Sequence, residues 1–345
     1  MTAIDRNFNR GFFVIPALTA LLFLAGVVLL PGLGTYAYEV QAQSRAVQAE
    51  SPAVTHNTWT AGTPMPDPTY QSSAGVVKGE IYVVGGINSS GTIVDDAQIY
   101  NPVNGSWSAA TSLPAATADG AGAVVKNIFY FIGGTPDGST CSNAVWAYTP
   151  KTKVWSAKAA MPIGRCSMGA TVEKNIIYVV GGVANGERLT SVESYNPATN
   201  TWTEEAPLSV GKSEPAVGLV SGKTIIAADG FTSSGDNGDN EGYNAATNSW
   251  TSYKSDPTSR NAACGGGVGG TMYVAGGYSG GGPGTPASTL NESFKAAKNS
   301  WTTLAPMAQA AMFSAAALYE GELYCIGGQS SYQGSVLGNV QIYEP

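Results

Sequence analysis

The sequence predicts an all-β chain folded as a six-bladed β-propeller of four-stranded blades, and three regularities predict it. Six tryptophans, Trp59, Trp107, Trp155, Trp202, Trp250 and Trp301, lie 48, 48, 47, 48 and 51 residues apart. Glycine doublets at Gly85-Gly86, Gly133-Gly134, Gly181-Gly182, Gly276-Gly277 and Gly327-Gly328 keep the same register, with Asp229-Gly230 standing where the sixth is due. An aromatic residue, Tyr100, Tyr148, Tyr195, Tyr243 or Phe294, comes seven residues before each later tryptophan. A fixed period in this range marks a repeat architecture.

Each unit reads as four strands. The first is a run of small residues such as AGAVVK or MGATVEK; the second is a β-branched or aromatic run that the doublet closes, as in IYVVGG, FYFIGG and LYCIGG. A loop of variable length follows, then a third strand such as SVESYNP, a turn, and a fourth strand that begins at the tryptophan. One such sheet cannot bury its own apolar face, so the units must stack around an axis, where glycine and alanine suit the crowded inner strand. The last unit stops at Tyr343-Glu344-Pro345, before its tryptophan is due, while Trp59 has no unit of its own. Residues 55–60 (THNTWT) are therefore expected to supply the outer strand of the last blade, closing the ring and removing an exposed sheet edge.

Ahead of the repeats, Phe12 to Leu30 is almost wholly apolar and uncharged, long enough as a helix to cross a hydrocarbon core of about 30 Å. Arg6 and Arg10 precede it and no basic residue follows until Arg45, which orients the remainder away from the cytoplasm. Residues 1–33 are read as a membrane anchor or signal segment, 34–54 as a polar linker, and 55–345 as the propeller. An extracytoplasmic location follows, anchored by the N-terminal helix or secreted.

Composition excludes several chemistries. A net charge of −7 gives no electrostatic reason to bind nucleic acid. With one histidine, His56, and no Cys-x-x-Cys pair, no cofactor or metal is expected. The acidic run DNGDNE, with Asp236, Asp239 and Glu241, does not have the spacing of an EF-hand loop. Glu241 instead aligns with Glu193 and Glu292, two residues before the third-strand aromatic, which implies a structural role repeated across blades.

The doublet closing a strand, the aromatic 13 to 17 residues on and the tryptophan seven later resemble the kelch repeat over residues 55–345. That resemblance implies a protein-binding propeller most often, with copper-radical galactose oxidases and bacterial sialic-acid mutarotases among its relatives. The copper site of the oxidases requires two histidine ligands, and a serine-hydrolase triad requires a histidine base; His56, in the closing strand, serves neither. A mutarotase or epimerase, which needs only a positioned acid and base, is the alternative to a binding module. An arginine and carboxylate pocket at the channel mouth would favour that enzyme, and a shallow or plugged channel the binding module.

Length variation is confined to the loops between second and third strands, and these share a face with the segments leading into each first strand. Loops on a rigid scaffold are the usual place for a binding surface. Counting 17 residues back from the second doublet residue gives Thr69, Thr117, Arg165, Ser213, Arg260 and Ala311 as the lead-in positions. Arg165 and Arg260 there, with Arg188 in a variable loop, are the three arginines after residue 50; converging, they would bind a carboxylate or other anion, and the competing reading is salt bridges between blades. Tyr70, Tyr278 and Tyr332 are the aromatic candidates on this face. No catalytic residue is assigned. The expected partner is a protein or glycan at the variable-loop face, with the membrane engaged by the N-terminal helix. Cys141 and Cys166 fall on this face in neighbouring blades and are placed for a disulfide. Cys264 and Cys325 are expected as buried free thiols in inner strands.

Overall fold

The computed structural model describes residues 56–345; residues 1–33 and 34–54, read above as an anchor or signal segment and a linker, lie outside the described residues. Six antiparallel four-stranded sheets form the blades. From the channel outward, blade 1 is built from Ser73–Val77, Glu80–Val84, Ala97–Asn101 and Ser106–Ala109. Blade 2 uses Ala121–Val125, Ile128–Ile132, Val145–Thr149 and Val154–Ala157. Blade 3 uses Gly169–Glu173, Ile176–Val180, Val192–Asn196 and Thr201–Glu205. Blade 4 uses Ala216–Val220, Thr224–Ala228, Asn240–Asn244 and Ser249–Tyr253. Blade 5 uses Cys264–Val268, Thr271–Ala275, Asn291–Lys295 and Ser300–Thr303.

Blade 6 takes three strands from the C-terminal end, Ala315–Tyr319, Glu322–Ile326 and Val340–Glu344, and its outer strand, Thr58–Gly62, from the other end of the propeller. Trp59 stands opposite Tyr343 in that pairing, as the repeat arithmetic requires.

The tryptophan period has a mechanical cause. In every blade the indole N–H donates to a carbonyl just past the outer strand of the preceding blade: Trp107 to Thr63, Trp155 to Thr111, Trp202 to Ala159, Trp250 to Ala206, Trp301 to Lys254 and Trp59 to Ala305, all at 2.7–2.9 Å. Each tryptophan also lies beside the third-strand aromatic of its own blade, as in Tyr100–Trp107 at 5.0 Å. One side chain thus closes its sheet and latches it to a neighbour.

The doublets serve the other end of the blade. The second residue of each donates its N–H to the lead-in carbonyl of the next blade, for example Gly86 to Thr117 and Gly328 to Thr69. At Gly85, φ is +67° and a Cβ would collide with the Thr117 carbonyl, so only glycine fits comfortably. Asp229 adopts the same left-handed backbone, with φ +59°.

Most hairpins between first and second strands turn on two residues, such as Lys78-Gly79 and Lys126-Asn127, both with positive φ, the turn that matches strand twist. Blade 4 uses three, Ser221-Gly222-Lys223, between its first two strands. That extra residue corrects the lead-in alignment: the blade 4 equivalent of Arg165 and Arg260 is Lys212, not Ser213, because the Lys212 carbonyl receives the Gly182 N–H as the Arg165 and Arg260 carbonyls receive those of Gly134 and Gly230.

A second correction concerns the cysteines. Cys264 and Cys325 are joined by a disulfide rather than left as free thiols. Cys264 lies on the inner strand of blade 5, but Cys325 lies on the second strand of blade 6, and the two strands meet across the blade interface with Cα atoms 5.8 Å apart. Cys141 and Cys166 are also joined, tying the variable loop of blade 2 to the lead-in of blade 3.

Candidate functional site

The expected convergence of three arginines does not occur. Arg165 is fully buried, with Nη2 2.8 Å from Glu193 Oε1 and Nη1 donating to the Gly181 and Ser191 carbonyls. Arg260 is equally buried: Nη1 lies 2.6 Å from Glu292 Oε2, Nη2 donates to the Val274 carbonyl, and Asp256 and Asp229 stand at 3.4 and 3.8 Å. Lys212 repeats the arrangement with Glu241 at 3.9 Å. Blades 3, 4 and 5 therefore each pair a lead-in cation with a third-strand glutamate. In blades 1 and 6 the same third-strand position is Gln98 or Gln341, which exchanges two hydrogen bonds with the backbone of Asp67 or Gln309. Burial opposes both charges in the Arg165–Glu193 pair, pushing the carboxyl up and the guanidinium down, and the pairing pulls each back. These cations brace the lead-in segments from inside. They present no charge to a ligand.

The mouth of the channel is formed two residues further on. Gln71, Asp119, Ser167, Glu214, Ala262 and Phe313 occupy equivalent places, one per blade, and all six have φ between +53° and +58°. Their backbones form a belt across neighbouring blades: Asp119 N–H donates to Gln71, Ser167 to Asp119, Glu214 to Ser167, Phe313 to Ala262 and Gln71 to Phe313, at 2.7–3.0 Å. A left-handed backbone costs a non-glycine residue strain, here carried at all six places in one belt.

The side chains of this belt divide it in two. On one arc, Ser167 donates its hydroxyl to Asp119 Oδ2, and Glu214 follows on the next blade. Burial raises the Asp119 carboxyl to about 7, the Ser167 hydrogen bond drawing it partly back. Burial also raises Glu214 to about 8, with Asp119 and Asp236 pushing the same way and Arg188 opposing. On the other arc, Phe313 lies 6.3 Å from Tyr70 and 5.8 Å from Tyr278, which stacks on Tyr332 at 5.7 Å. The three tyrosines named from the sequence therefore meet in one cluster, with Tyr278 buried and Tyr70 and Tyr332 half-buried.

Arg188 alone of the three arginines reaches this region. Its guanidinium lies 4.6 Å above the Phe231 ring, and it lines a cleft of about 540 Å³ with Glu214, Ser167, Tyr278, Phe313 and Tyr332. Asp236 secures the glycine-rich loop beside the cleft: it accepts hydrogen bonds from Asn261, Ser279 and the Gly280 N–H. The cleft shares Gln71, Ser167, Glu214 and Phe313 with the mouth, the mouth shares Ser72 and Gly120 with the chamber below, and that chamber shares Ala74 and Gly122 with an apolar cavity of about 380 Å³ at the far end. A continuous channel results, polar at the variable-loop face and lined by Val, Leu, Ala and Gly beyond it.

Asp119 and Glu214 are the residues that sequence reasoning missed. Their place was within reach, two positions past the lead-in, but six chemically different residues give no repeat signature there.

The fold, the indole latches and the doublets define a six-bladed kelch-type propeller. A family model, the Attractin/LZTR1 β-propeller, matches residues 34–280, more than half of the chain, and the chain belongs to that family. No curated protein matches. Among solved structures 860 chains match, so the fold by itself selects no activity. One of them, the structure of YjhT, is 17% identical, has a TM-score of 0.70 and covers 81% of this chain and 95% of its own; at that identity the likeness shows the fold alone.

Proposed function

We propose that the protein is an exported, membrane-tethered binding module that takes a protein partner on its variable-loop face, over the channel mouth. The observation that carries this reading is the belt with its aromatic cluster: the half-buried Tyr70 and Tyr332, backed by the buried Phe313 and Tyr278, present a rigid anchor beside polar groups, the mixture that concentrates binding energy at interfaces. Kelch propellers generally serve as protein-binding scaffolds, which supports the same reading. Export is supported by the apolar segment at residues 12–30 and by the pairing of all four cysteines among the described residues. A photo-crosslinking residue placed at Tyr332 tests the face, with one at Leu318, which lines the apolar end of the channel, as control. Partner capture from the first position only is the expected result. Capture from Leu318 alone would refute it.

A glycan is the second occupant that this chemistry fits, since aromatic faces and carboxylates also suit a polyhydroxylated ring. Acid–base chemistry on a reducing sugar is the third reading, favoured by Asp119 and Glu214, poised at about 7 and 8, beside Arg188 in a cleft of about 540 Å³. Anomer exchange of free sugars followed by NMR, with and without the protein, decides that reading.

A further inference from the structure

The channel mouth presents three acceptors on one arc and aromatic rings on the other. Asp119, Ser167 and Glu214 follow one another in the belt, each on its own blade. Among the described residues the half-buried Glu214 carboxylate makes no hydrogen bond and no ion pair and lines the open mouth. A carboxylate without a partner in a half-closed mouth is left free to accept from an arriving cation, which favours its ionised form. Across the mouth, Phe313, Tyr278, Tyr332 and Tyr70 offer ring faces to an alkyl stem or a cation. Around the cleft Asp119, Glu214 and Asp236 stand against Arg188, so the balance turns negative once Asp119 and Glu214 release their protons.

We propose that the partner inserts a lysine side chain into this mouth. The proposal rests on the protein-binding reading above and names the chemistry of its central contact. An ammonium carries three donors, matching the arc of Asp119, Ser167 and Glu214. The four-carbon stem runs past Phe313 and Ala262, which line the mouth beside Asp119, Ser167 and Glu214. Cation binding drives proton release from the two carboxyls, so affinity rises with pH while lysine stays charged below its own pKa of about 10.4. Arg188, Tyr278 and Tyr332 also line the cleft, with Asp236 and Tyr70 beside it; burial raises the Tyr70 and Tyr278 hydroxyls, which stay neutral in this range.

The test is NMR titration of the intact protein with N-acetyl-lysine N-methylamide and, in parallel, with the uncharged norleucine analogue. The lysine compound is expected to shift resonances of Ser167 and Phe313, to bind at least tenfold more tightly than the norleucine compound, and to gain about tenfold between pH 6 and 8.5. Asp119→Asn and Glu214→Gln are each expected to lose about tenfold, their folding confirmed by circular dichroism. Equal binding of the two analogues to the unaltered protein overturns the proposal without depending on any variant. Loss of the lysine effect with continued crosslinking from Tyr332 removes this contact but leaves the face as the interface; loss of both removes the binding reading itself. Binding of a neutral glycan at Ser167 and Phe313, with no response to the lysine compound, also overturns it.

Discussion

Arg165 and Glu193 meet 2.8 Å apart, both with almost no exposed side chain, and they hold the lead-in of blade 3 to its third strand. Removing one partner strands the other as a buried charge. Arg165→Ala is therefore expected to lower unfolding free energy by about 3–5 kcal/mol, measured by urea denaturation, while leaving ligand binding per folded molecule unchanged. Arg165→Met with Glu193→Leu should recover most of that loss. A stable single variant would show that the pair is not the brace described above.

Closure of the ring depends on the strand Thr58–Gly62, in which Trp59 lies 5.1 Å from Tyr343 and donates to the Ala305 carbonyl. Trp59→Ala removes a half-buried ring and its hydrogen bond, a loss of about 2–3 kcal/mol, somewhat below the value for a fully buried tryptophan. Trp59→Phe keeps the ring and loses the indole donor, at about 1 kcal/mol. Thermal unfolding of the two variants separates the latch from the packing.

The two disulfides differ in access. Cys264 and Cys325 are buried between blades 5 and 6, whereas Cys141 sits half-buried on the variable-loop face. Under mild reductant, alkylation and mass spectrometry should find Cys141 and Cys166 labelled first. Replacing Cys264 and Cys325 together with alanine is expected to cost about 2–4 kcal/mol.

Stability should fall as pH rises from about 4 to about 8. Asp119 and Glu214, with folded values of about 7 and 8, lie above their unfolded values of about 4, so the native state holds more protons through that window. Glu292, raised to about 6 by burial and by Asp256, and Asp229, raised by burial and by the same neighbour, add to the slope. The stabilising contribution is complete below the unfolded values and is lost as pH passes the folded ones. Urea midpoints at pH 5 and 8.5 measure the slope, and a double variant, Asp119→Asn with Glu214→Gln, should flatten it.

The ring of blades was legible because the tryptophan and the glycine doublet each do one job that few residues can do. An indole spans from one sheet to a carbonyl of the preceding blade, and a left-handed residue close to a carbonyl is best served by glycine, so both recur in register. The lead-in cations were legible as positions but not as directions: nothing in one sequence says whether Arg165 turns outward or inward. The aligned glutamates at 193, 241 and 292 were the available signal, since a carboxylate repeated opposite a cation implies pairing. Lys212 escaped because the three-residue turn Ser221-Gly222-Lys223 shifts the count by one. Cys325 was read as an inner-strand thiol although its run, LYCIGG, has the pattern of a second strand, and only the packing of blades 5 and 6 shows that this strand meets Cys264. The belt residues escaped for a different reason: left-handed backbone at Gln71, Asp119, Ser167, Glu214, Ala262 and Phe313 is imposed by the ring, not by their own preference.

The central claim is that Asp119 and Glu214 form a half-buried acidic arc at the channel mouth whose carboxyls are raised well above the ordinary range. Its most direct test is a carbon-13 NMR titration of the side-chain carboxyls of labelled protein, assigned through Asp119→Asn and Glu214→Gln. The account predicts midpoints of about 7 for Asp119 and about 8 for Glu214. Midpoints near 4 for both, the ordinary range of solvated carboxylates, would contradict it.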